Sequence, residues 1–164
     1  MIRSATAADA EAICQIYNHF ILATSVTFEE TVVTNREMAE RIAALAGRLP
    51  FLVAELDGAV AGYAYATPWK ARSAYRHTVE SSVYVAPGMT GMGLGSRLVQ
   101  ALLQQLRERE VHAVLAGIAL PNSASVGLHE SFGFAKVGQM REVGRKFGQW
   151  LDVGYWQLLL AAQS

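Results

Sequence analysis

Four glycines fall within eight residues of the stretch VYVAPGMTGMGLGSRLVQALLQQL, residues 83–106, and a helical spacing of apolar residues follows at once. Each glycine costs about 0.5–1 kcal/mol where a regular element would serve, so such a cluster needs a conformational or ligand-approach reason. A strand, a glycine-rich turn and a helix whose first amides lack partners together make an anion site, because those amides point back at the turn and the helix dipole favours negative charge. Gly91, Gly93 and Gly95 leave the backbone bare for a phosphate, and Ser96 adds a hydroxyl. The spacing excludes the usual nucleotide motifs. A P-loop needs GxxxxGK[ST], and no lysine follows here; a dinucleotide fingerprint needs GxGxxG in an early βαβ unit, whereas this chain has GxGxG in mid-sequence.

Length and charge narrow the setting. The 164 residues amount to one domain, spanning 1–164, with 52% hydrophobic and 17% charged residues, a globular balance. The formal net charge of zero argues against a general nucleic-acid binder and shows no attraction to a membrane surface. A single cysteine, Cys14, sits among Ile13, Ile16 and Tyr17 as a buried small hydrophobe, so a reducing compartment is expected. The start MIRSATAADAEAI lacks an apolar signal core, and no run approaches the roughly 18 apolar residues of a membrane span, which makes the cytoplasm the expected location.

Periodicity supplies the elements. IRSAT reads as a strand, and Ile13, Ile16, Tyr17, Phe20 and Ile21 mark a helix from Ala7 to about Leu22, with Thr6 or Asp9 as its cap. Thr34 and Glu37 form a capping box that opens a second helix to about Gly47. PFLVAEL and AVAGYAYAT flank Asp57-Gly58, a strong hairpin signal, and TVESSVYVA reads as a fourth strand. Leu98, Val99, Leu102, Leu103 and Leu106 mark the next helix, AVLAGIAL a fifth strand, Ser123 to Phe132 a helix, and residues 136–143 and 151–160 two final strands. The order βααβββαβαββ predicts an α+β fold with a mixed sheet flanked by about four helices, in which strands four and five are parallel and the hairpins antiparallel.

TGMGLG after SSVYVAP, followed by NSASVGLHESFGF, resembles the GNAT N-acetyltransferases, and the resemblance covers nearly the whole chain. More narrowly, HTVESSVYV, SVGLHESFGF and the tail VGRKFGQWLDVGYWQL look like the phosphinothricin and methionine sulfoximine acetyltransferase group. The resemblance implies the GNAT fold, acetyl-CoA as co-substrate with its pyrophosphate on Gly91, Met92, Gly93, Leu94, Gly95 and Ser96, and no metal. Thr90 stands where the family's turn usually begins with Arg or Gln.

Acetyl transfer to an amine needs a base, donors for the developing oxyanion and an acid for the leaving thiolate. Glu80 is a carboxylate in a strand of apolar and hydroxyl residues, and in the resembled group the matching Glu is the base, acting directly or through water; the plainer reading is a solvated residue or an ion-pair partner of Arg76. Val83, Tyr84 and Val85 offer main-chain groups to the pantetheine arm. Asn122 suits a helix cap, and the resemblance adds a coenzyme contact for it and for Ser125. His129 occupies the position where relatives carry a tyrosine thought to protonate the thiolate, although a lone helical histidine is also a common structural residue.

The loop WKARSAYRH is cationic and aromatic, which suits the carboxylate of an amino acid beside an apolar side chain. By resemblance Lys70, Ala71 and Arg72, with Glu80, Ser81 and Ser82, match substrate-contacting positions, and Phe28 and Glu29 in the first loop are weaker candidates; a solvated basic loop is the alternative. Trp150 and Trp156 leave large aromatics near the C-terminus, consistent with a homodimer or with core packing of the last strand. Three functions compete: an acetyltransferase for a small amino acid, an acetyltransferase for another amine such as a peptide N-terminus or polyamine, and a non-catalytic acyl-CoA-binding module. A basic loop disfavours a polycationic acceptor, and the pair Glu80 and His129 disfavours the silent module.

Overall fold

The computed structural model describes residues 1–161. Strand β1 (Ile2–Ser4) leads into α1 (Ala10–Ala23) and α2 (Asn35–Leu45), then β2 (Phe51–Leu56), β3 (Ala59–Pro68) and β4 (Thr78–Val85). Helix α3 (Leu94–Arg107), β5 (Ala113–Ala119), α4 (Ser123–Ser131), β6 (Ala135–Lys146) and β7 (Gln149–Leu159) complete the chain. This is the order expected from periodicity. Local chemistry explains the boundaries. Thr34 and Glu37 exchange hydrogen bonds at the start of α2, the Thr34 amide donating to Glu37 at 2.7 Å and the Glu37 amide to Thr34 Oγ1 at 3.2 Å, so two otherwise orphaned donors are satisfied. Asp57 and Gly58 both take positive φ, 51° and 80°, which twists the β2–β3 turn to match the strands it joins.

The seven strands form one sheet in the order β1-β2-β3-β4-β5-β7-β6, with β4 and β5 parallel and the other pairings antiparallel. Alternation along the strands divides the core in two. Ala64, Ala66 and Val79 face α3, whose buried Leu98, Leu102 and Leu106 stack one above another at helical spacing. Val53 and Tyr63 face α1 and α2, where Ile13, Tyr17, Met38 and Ile42 pack. Each fully buried side chain of this size contributes about 1.5–3 kcal/mol. Among the described residues no helix is long and apolar enough to cross a membrane.

Two expectations about the last hairpin change. Strands β6 and β7 run to a two-residue turn at Phe147-Gly148, both at positive φ (50° and 72°), so they are longer than the 136–143 and 151–160 read from the sequence. A phenylalanine at positive φ is uncommon, and it hid a turn that Asn-Gly or Asp-Gly would have announced. The two tryptophans also part company: Trp156 is core, 3% exposed with Nε1 donating to Glu130 at 3.1 Å, while Trp150 is 60% exposed.

Candidate active site

Strands β4 and β5 pair at only three positions, Thr78–Ala113, Val79–Val114 and Glu80–Leu115, and then diverge. Beyond that point β4 stays bound to β3 as far as Val85, while β5 stays bound to β7 as far as Ala119. A wedge of about 240 Å³ therefore opens between two strands of one sheet. Main-chain groups on the open edge of Ser81–Val85 face this wedge without a strand to bond, and a buried backbone group without a partner is costly. The Ser81 hydroxyl, 3.4 Å from the Leu115 carbonyl oxygen, marks where the ladder ends. Ser82, Val83, Tyr84 and Val85 line one wall, and Ala116 to Ala119 the other.

At the wide mouth lies the glycine turn. Gly91 and Gly93 adopt φ of 80° and 73°, and a Cβ on either would point into open space, so nothing of the protein stands between this backbone and an approaching ligand. Gly93 is the N-cap of α3 and supplies no side-chain cap, which leaves the first amides of a 14-residue helix unfilled. Met92 and Ser96 are exposed at the turn, and Thr90 and Gly95 line the wedge. Leu94 is buried in the core, so only its amide is available to an anion.

Glu80 stands at the closed end, half-buried, and burial pushes its pKa above the ordinary carboxylate value. It forms no ion pair with Arg76 among the described residues; Arg76 donates instead to the Ser73 carbonyl at 3.1 Å. Gly117 explains how the carboxylate fits. A Cβ there would lie 3.0 Å from Glu80 Oε1 and 3.2 Å from Tyr155 Cε1, so a side chain would displace both groups. Burial, and then the charge of Glu80, raises the pKa of Tyr155, and the Tyr155 ring meets Trp69 edge-on at 5.5 Å.

His129 is buried in α4 with Nδ1 2.8 Å from the Ser125 carbonyl oxygen. A carbonyl only accepts, so Nδ1 carries the proton and Nε2 is bare. Burial lowers its pKa, which favours the neutral ring. Asn122 is the N-cap of α4, its Oδ1 accepting from the Ser125 amide at 3.1 Å, and Asn122, Ser125 and His129 all line the wedge.

Other expected residues lie outside the wedge. Lys70, Ala71 and Arg72 line a neighbouring depression that also carries Arg48, Arg76 and Arg109. Trp69, which contacts Tyr155, links that depression to Glu80. Phe28 packs its ring over Gly144, where a Cβ would collide with it, and Glu29 is held by Tyr17 and by two bonds from Arg41 at 3.0 and 2.6 Å. Gly117 and Tyr155 were not anticipated. A glycine inside the apolar run AVLAGIAL is the signal that could have found the first, since a strand-interior glycine marks a close approach. Tyr155 depends on register alone: it pairs with Gly117 across β5 and β7.

A family model for the acetyltransferase (GNAT) domain matches residues 2–154. The phosphinothricin N-acetyltransferase of Streptomyces viridochromogenes is 48% identical over 156 residues, 95% of this chain and 85% of the relative. The L-methionine sulfoximine/L-methionine sulfone acetyltransferase of Salmonella typhimurium is 43% identical over 160 residues, 97% of this chain and 94% of that protein. Among solved structures, yncA of Salmonella typhimurium, determined with its cofactor acetyl-CoA, superposes with a TM-score of 0.96 at 40% identity, covering 100% of this chain and 95% of the other. With a parallel pair that splays at Glu80, a bare glycine turn at its mouth and relatives matched along nearly its whole length, the chain belongs to the GNAT family of N-acetyltransferases.

Proposed function

We propose that the protein transfers the acetyl group of acetyl-CoA to the amino group of a small amino acid of the methionine sulfoximine, methionine sulfone or phosphinothricin type, with Glu80 as general base. The observation that carries this reading is the Glu80 carboxylate, without an ion pair among the described residues and of raised pKa, at the closed end of the wedge. The names of the relatives from Streptomyces viridochromogenes and Salmonella typhimurium support the acceptor class.

The residues present fit the coenzyme. The open space before Gly91 and Gly93, with the unfilled amides of α3, suits a pyrophosphate. Acetyl-CoA supplies an activated thioester. The free main-chain edge of Ser81–Val85 would hold the amide-bearing arm of the coenzyme, and a main-chain amide there would be placed to polarise the thioester carbonyl. Glu80 takes the ammonium proton, so that the amine attacks as a neutral nucleophile; a pKa above the usual carboxylate value makes it a better base. His129 enters as a neutral ring with a bare Nε2, and acts as an acid only after gaining a proton. With the amine at Glu80, the acceptor's carboxylate points past Tyr155 and Trp69 toward Lys70 and Arg72. The basic depression around these side chains disfavours a polyamine.

Replacing Glu80→Gln tests the reading with methionine sulfoximine as acceptor and thiol release as the assay. Turnover is expected to fall about 10²–10⁴-fold while calorimetric affinity for acetyl-CoA holds. Turnover within about threefold of wild type, with no change in the acid limb of the pH profile, would show that another group is the base.

A further inference from the structure

We propose that an aromatic cavity beside the reacting centre receives the side chain of the acceptor, so that within the proposed acceptor class elongated, uncharged side chains are preferred over short ones and over one with an anionic tip. This inference rests on the acetyltransferase reading and specifies its acceptor. The cavity, of about 290 Å³, lies between α2 and the sheet face that carries Glu80. The register fixes their relation: Thr67, which lines the cavity, pairs with Glu80, and Tyr65 pairs with Ser82. Directly opposed residues of an antiparallel pair share a face with Cβ atoms about 5 Å apart, so the cavity begins one strand away from the base.

Its walls are flat and apolar. The rings of Phe51, Tyr63 and Tyr65 lie within 16° of parallel, with centroids 4.9 to 6.2 Å apart, and Met38 and Leu45 face them from α2. Arg41 also lines the space, but its guanidinium is committed to Glu29 and offers no free charge to an anionic tip. Tyr63 is 1% exposed as a residue and lines the cavity, and no fully buried side-chain polar atom among the described residues lacks a partner, so its hydroxyl, which bonds no protein group, opens onto the cavity. A hydroxyl that opens onto a cavity can donate to an acceptor atom on a ligand there. The volume equals that of about ten waters, room for a side chain the size of norleucine's or phenylalanine's.

The test compares kcat/KM for alanine, norleucine, phenylalanine and methionine sulfone with acetyl-CoA. Wild type is expected to prefer norleucine and phenylalanine over alanine by about ten- to a hundredfold, the value of burying such a side chain. Ala44→Phe, at an exposed α2 position on the cavity, should cut that preference at least about tenfold by filling the mouth. Tyr63→Phe removes a hydroxyl that bonds nothing, so the fold is retained, and it should shift selectivity away from methionine sulfone toward norleucine by about fivefold. Should Ala44→Phe fail to fold, the Tyr63→Phe ratio decides. Equal use of alanine and norleucine by wild type, or ratios unmoved in the folded variants, would overturn the pocket while leaving the acetyltransferase reading standing. Failure of wild type to acetylate any amino acid would sink that reading instead.

Discussion

Gly117→Ala isolates the placement of the base from its chemistry. The new methyl would lie 3.0 Å from Glu80 Oε1, 3.2 Å from Tyr155 Cε1 and 3.4 Å from Tyr155 Cζ. All three atoms belong to side chains, so the neighbours yield rather than the backbone. Tyr155 has little freedom because its ring abuts Trp69, and most of the movement falls on Glu80. Alanine is favoured over glycine in a strand by about 0.5–1 kcal/mol, and displaced rotamers cost about 0.5–1.5 kcal/mol, so stability hardly changes. The melting temperature should stay within about 3 °C of wild type. Activity should respond more. If a 1 Å misplacement costs about a hundredfold, a shift of a few tenths of an ångström lowers kcat about fivefold. The methyl also strips water from the carboxylate, so the acid limb of kcat/KM should move to higher pH. Steady-state kinetics across pH with methionine sulfoximine, beside a thermal melt, reads all three quantities. A folded variant whose kcat and pH profile superimpose on those of wild type would refute the role given to this contact.

In Glu80→Gln, stability and activity should part. Because folding raises the pKa of Glu80, the protein loses stability as pH climbs from the unfolded value of about 4.3 through the folded one; the variant should therefore be at least as stable as wild type at pH 7, with the advantage gone below about pH 4, as pH-dependent denaturant melts would show. Gly93→Val should sharply weaken acetyl-CoA binding in calorimetry, but its positive φ also strains any β-branched residue; Gly93→Asn tolerates that backbone, and unchanged affinity in the folded Asn variant would mean the glycine serves the turn alone. Arg72→Ala should raise the KM for methionine sulfoximine about ten- to a hundredfold with kcat unmoved, since the carboxylate is remote from the reacting nitrogen. If the methyl ester of the acceptor is acetylated as well as the free acid, the basic loop is only solvated surface.

Much of the frame was legible in the sequence because its signals are local. The Thr34/Glu37 box, the Asp57-Gly58 turn and the leucine repeat of α3 each act through neighbours within a few residues, and each appears where it was read. The Phe147-Gly148 turn went unread since its first residue carries no turn propensity, and the surrounding hairpin imposes the conformation. Ser73–Tyr75 coils into a single 3₁₀ turn inside a loop that composition alone describes as polar.

For the site, the sequence by itself determined the parts: a carboxylate in an apolar strand, a bare turn before a helix, a capped helix bearing Asn122 and His129. These depend on residue type and short-range backbone preference. Only the tertiary structure decided their relation, because it follows from where parallel pairing stops. The ladder of β4 and β5 ends at Glu80 and Leu115, which makes a wedge of about 240 Å³ out of two ordinary strands. The same register brings Gly117 and Tyr155, distant in sequence, against Glu80, leaves Lys70 and Arg72 on the neighbouring depression, and sets Thr67 between the base and an aromatic cavity. Pairing across a sheet joins residues with no sequence relation to one another, so no local pattern could announce it.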